Sequence, residues 1–74
     1  MINRVIRMTF ERIKNLREDR DLKQETLAEM LGVRQTTYSK YELGKINVPI
    51  EMLIKIADFY GVTLDYLVGR SDEM

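Results

Sequence analysis

Residues 24–45, QETLAEMLGVRQTTYSKYELGK, leave this chain few ways to fold. Leu27 and Leu31 stand four apart, Tyr38 and Tyr41 three apart, with Gly32 between the two pairs. Such spacing puts each pair on one face of a short helix, the first over about 24–31 and the second over about 35–43. Helices that cross steeply over a turn of three or four residues need little bulk at the crossing. They also need a turn residue at ease with positive φ. Ala28 and Gly32 meet those two demands, and Gly44 reads as the left-handed stop of the second helix.

The flanking sequence supplies three more helices. The first is expected from near Thr9, a suitable cap with Glu11 in the first turn, to about Arg20. Its inner stripe is Phe10, Ile13, Leu16 and Arg17, with Leu22 sealing the following turn. The fourth starts near Pro49 or Ile50, since proline suits a first helical turn, and ends before Gly61. Its expected core face is Ile50, Leu53, Ala57 and Tyr60, flanked by Ile54 and Ile56. Met52 and Phe59 point the other way, bordering Ile56, and form a candidate partner seam. Thr63 caps a short fifth helix over 64–68, stopped by Gly69. The outcome is an all-α domain over 9–70 with a frayed tail at 71–74. For the arm at 1–8, three readings stay open: an extension of the first helix, a strand paired with a partner, or a loosely ordered segment. Arg4 and Arg7 give that arm two cations.

With 74 residues there is room for one small core. The chain has neither cysteine nor histidine, which removes disulfides, zinc fingers, and thiol or imidazole catalysis. No apolar run is long enough to span a membrane, and the arginines of the first residues break any signal peptide, so a cytoplasmic location is expected. Twelve basic residues balance twelve acidic ones, but unevenly. Residues 1–23 carry seven Lys or Arg against four Asp or Glu; residues 50–74 carry two against five. That asymmetry suits one side turned toward a polyanion and one turned away. If Tyr38 and Tyr41 point inward, then Thr36, Ser39, Lys40 and Leu43 point outward, with Gln35 leading. Such groups can read base edges: Gln pairs with adenine, Lys donates to guanine, and a Thr methyl meets a thymine methyl.

From about residue 10 to residue 69 the pattern resembles the phage-repressor type of helix-turn-helix domain, the Cro/C1-type or Xre-like family. The matching residues include Arg17 in LRED, Gln24, the Ala28–Gly32 core, ELGK at 42–45 and IADFYGVTLDYLVG at 56–69. The resemblance implies a compact five-helix, lambda-repressor-like fold and a sequence-specific DNA-binding transcriptional regulator, in the first instance a repressor. It implies Gln35, Thr36 and Lys40 as principal base readers and Ser39 as a lesser one, with Thr37 on the flank near a phosphate strand. Gln24 would reach a phosphate and brace Gln35, while Lys23, Arg34 and Lys45 complete the phosphate anchorage. Arg17 would pair with Glu42, tying the first helix to the third.

Four positions depart from the family habit. Lys23 and Arg34 stand where Ser or Thr commonly caps a helix, each forgoing a cap worth roughly 0.5–2 kcal/mol. A cation at the positive end of a helix dipole harms the isolated domain and helps once a phosphate sits there. Leu43 stands where an asparagine is frequent, so an amide contact to the DNA backbone is lost; Tyr38 replaces a smaller Ile or Val, and the tyrosine hydroxyl needs water or a partner. A duplex operator bound by a homodimer is the expected partner, through the seam Met52, Ile56 and Phe59. No cofactor, metal or small-molecule ligand is indicated, and without a nucleophile or a phosphate loop neither is an enzyme. The competing reading is an antitoxin-like or regulator-binding interaction module that retains the fold.

Overall fold

The computed structural model describes residues 10–74, and the expected arm, its arginines and the Thr9 cap lie outside them. Five helices follow one another: α1 (Glu11–Asp19), α2 (Gln24–Leu31), α3 (Gln35–Leu43), α4 (Ile50–Tyr60) and α5 (Leu64–Leu67). No strand occurs among the described residues. The five-helix, all-α architecture is the one the hydrophobic spacing predicts.

Helix ends are set by local chemistry. Gly32 closes α2 at φ 71°, with its N–H on the Glu29 carbonyl and the Val33 N–H reaching back to Ala28. Gly44 closes α3 the same way at φ 70°. These reversed bonds satisfy the last carbonyls of each helix and send the chain off sharply. Thr63 caps α5 as expected, accepting the Tyr66 N–H at 3.0 Å. Helix α1 is capped by Phe10 without a side-chain bond and stops at Asp19, one residue before the expected end.

The core joins Ile13 and Leu16 of α1 to Leu27, Ala28 and Leu31 of α2, and to Tyr38 and Tyr41 of α3. The two tyrosine rings meet edge to face, centroids 6.4 Å apart. Helix α4 differs from expectation. Ile56 is fully buried, whereas Ile50 is 57% exposed. The buried face of α4 is therefore Leu53, Ile56, Ala57 and Tyr60. Because α4 packs against both α2 and α5, that face is wider than a single stripe. It takes in Ile56 and leaves Ile50, in the first turn, uncovered.

Candidate nucleic-acid interface

Packing of α2 on α3 fixes the outward face of α3. Tyr38 and Tyr41 are sunk in the core, at 0% and 4% exposure. Gln35, Thr36, Lys40 and Leu43 are consequently exposed, and Ser39 and Thr37 half-buried. The four expected base readers thus lie on the solvent side of a single helix of nine residues. Lys23 and Arg34, both exposed, occupy the N-caps of α2 and α3, and neither helix has a side-chain cap bond. The first-turn N–H groups of both helices therefore remain open to an outside acceptor. Lys45 is exposed just past the end of α3.

Behind this face lies a charged knot. Arg17 Nε donates to Glu42 Oε2 at 2.6 Å and its Nη2 to Oε1 at 3.0 Å, a two-pronged pair. The third guanidinium nitrogen donates to the Leu22 carbonyl at 2.9 Å. Gln24 Nε2 donates to Glu42 Oε1 at 3.1 Å, so α1, α2 and α3 are tied at one carboxylate. The Glu42 side chain is 3% exposed. Burial alone would raise its pKa, but the hydrogen bonds from Arg17 and Gln24, with the Arg17 charge, outweigh that and hold it below the ordinary 4.5. Gln24 accordingly braces Glu42 within the protein; the brace expected on Gln35 is not among the hydrogen bonds of the described residues.

The Tyr38 hydroxyl is buried without a well-formed hydrogen bond, as is that of Tyr60. Burial first, and the Glu42 carboxylate second, hold the Tyr38 proton on above the ordinary value of 10. Burial likewise pushes the Tyr60 phenol up to about 12.

Arg12 of α1 and Arg20, the C-cap of that helix, have roles that the sequence did not announce. Arg12 donates to the Tyr66 carbonyl at 2.9 Å and to the Ser71 carbonyl, pairs with Asp72 at 2.8 Å, and lies over the Tyr66 ring. Arg20 donates to the Tyr60 carbonyl at 3.1 Å and lies over that residue's ring. Residues 71–73, expected as a frayed tail, thus make bonds back to α1 and to Thr63. The expected seam of Met52, Ile56 and Phe59 loses its middle member: Ile56 has no exposed surface. Phe59 is 42% exposed and leans edge-on against Tyr60.

A family model described as helix-turn-helix matches residues 13–67. This chain belongs to the helix-turn-helix family. It is 42% identical over 65 residues to the transcriptional repressor RstR of a cryptic phage of Vibrio cholerae, covering 88% of this chain and 59% of that protein. It is 43% identical over 62 residues to the transcriptional activator BcrR of Enterococcus faecalis, covering 84% of this chain and 30% of that one. Among solved structures, the P22 c2 repressor bound to a synthetic operator superposes with a TM-score of 0.76 at 24% identity, over 89% of this chain and all of that one. That likeness shows the fold. The chain spans about 59% of the length of the repressor RstR that it matches. These relatives are named as transcription regulators. No helix among the described residues is long and apolar enough to cross a membrane.

Proposed function

We propose that this chain is a sequence-specific DNA-binding repressor that lays α3 in the major groove of an operator. The observation that carries the reading is the exposed polar face of α3 set beside two helix N-termini that bear cations and lack caps. Lys23 and Arg34 at those ends make poor sense for the isolated domain, because each repels the helix dipole. Each makes good sense with a phosphate between it and the free N–H groups. On this reading Gln35, Thr36, Ser39 and Lys40 face base edges. Lys23, Gln24, Arg34, Thr37 and Lys45 face the strands, with Gln24 also holding Glu42. Repression follows from occupying the operator. The domain does not by itself set the sign, since RstR is named a repressor and BcrR an activator.

One module of this size contacts too little DNA for a stringent site, so two copies on half-sites about 34 Å apart complete the reading. With Ile56 buried, the apolar flank available to a second copy shifts to Ile50 and Ile54, which are 57% and 47% exposed one helical turn apart. Selection of bound duplexes from a random pool, followed by titration across salt, tests the function. A recovered two-half-site motif, with affinity falling steeply as salt rises, is the expected result. Recovery of no motif, with no binding at low ionic strength, would leave the interaction-module reading in its place.

A further inference from the structure

Leu43 is the one residue of the outward face that polar chemistry does not explain. It is 64% exposed, more than any other large apolar side chain of the helices. It sits in the last turn of α3, seven residues after Thr36, four after Ser39 and three after Lys40. These spacings place it on the same stripe as those three side chains. Nothing within the described fold covers it.

We propose, building on the DNA reading above, that Leu43 is a specificity-determining residue whose isobutyl group contacts the C5-methyl of a thymine. The major groove offers one apolar feature to an inserted helix, and that feature is the thymine methyl. A phosphate strand offers an isobutyl group nothing comparable. Thr36 and Leu43 are two helical turns apart, about 10.5 Å. The stripe therefore carries a methyl or isobutyl group at each end, with Ser39 and Lys40 supplying hydrogen bonds between. The bound site accordingly has a thymine beyond the base met by Thr36, on the side toward the C-terminal end of α3.

The test replaces each thymine of a selected duplex, singly, by deoxyuridine, which removes only the methyl. Affinity is measured for the wild type and for Leu43→Ala, a substitution that exposure makes harmless to folding. At one thymine the wild type loses about fourfold, the worth of one buried methyl. Leu43→Ala binds the unmodified duplex more weakly and is indifferent to deoxyuridine at that position, while keeping the other preferences. Sedimentation of the variant matches the wild type. Two results overturn the proposal and leave the DNA reading standing. In one, Leu43→Ala weakens all duplexes alike and keeps every thymine penalty. In the other, it changes the oligomeric state, which assigns Leu43 to a protein contact continuous with Ile46 and Ile50. A wild type that binds no duplex overturns both.

Discussion

The residues of the α3 face divide by what they can distinguish. An ammonium group on a base edge sees one base pair, whereas one on a phosphate sees only charge. Lys40→Ala is therefore expected to relax preference at one base step, and Lys45→Ala to weaken binding to all sequences alike and flatten the salt dependence by about one unit of slope. Competition titrations with single-base variants of the site separate the two. Glu42 carries the other residue-scale prediction. Its pKa is held below 4.5 in the fold, so the knot contributes stability above the ordinary value and loses it as pH falls through the folded one. Glu42→Gln leaves the Arg17 charge without its partner and is expected to cost on the order of 3 kcal/mol at pH 7. Urea unfolding of both proteins should show the gap narrowing below pH 4.5; a gap independent of pH would separate Glu42 from the acid response.

Among the elements, α2 and α3 depend on a turn that one residue makes possible. Gly32 sits at φ 71°, and a Cβ built there meets nothing within 4 Å. Gly32→Ala thus suffers no collision, only the left-handed backbone, and should lower stability by about 1 kcal/mol. Thermal unfolding reads this directly, as a fall of several degrees in Tm for a domain this small. Local cues of this kind are why the middle of the chain was legible from sequence. A left-handed glycine, a small residue at a crossing and paired apolar residues each act within a few positions. Helix α4 was less legible. Seven of its eleven residues are apolar or aromatic apart from Glu51, Lys55 and Asp58 and the small Ala57. A helix so rich in apolar residues admits several inner faces, and choosing Ile56 over Ile50 required knowing that both α2 and α5 lie against it.

For the molecule as a whole, the charge asymmetry and the exposed flank of α4 bear on assembly. If Ile50 and Ile54 join two copies, Ile54→Asp should leave the fold intact, because the side chain is 47% exposed. It should also abolish cooperative binding to a two-half-site duplex. Sedimentation with and without DNA checks both, and a variant that still binds both half-sites cooperatively would place the seam elsewhere, with Phe59 the next position to test.

By itself, the sequence determined the five helices, the left-handed turn at Gly32 after the buried Ala28, the outward set on α3 and, through resemblance, the Arg17–Glu42 pair. These rest on periodicity and turn chemistry, which are written in neighbouring residues. Tertiary structure alone decided that Gln24 braces Glu42, that Arg12 gathers Tyr66, Ser71 and Asp72, and that Arg20 reaches the Tyr60 carbonyl. The arginine contacts join residues 40 to 60 positions apart, and three of their four acceptors, at Tyr60, Tyr66 and Ser71, are backbone carbonyls. Every residue carries a carbonyl, so no side chain in the sequence marks which one a guanidinium will reach.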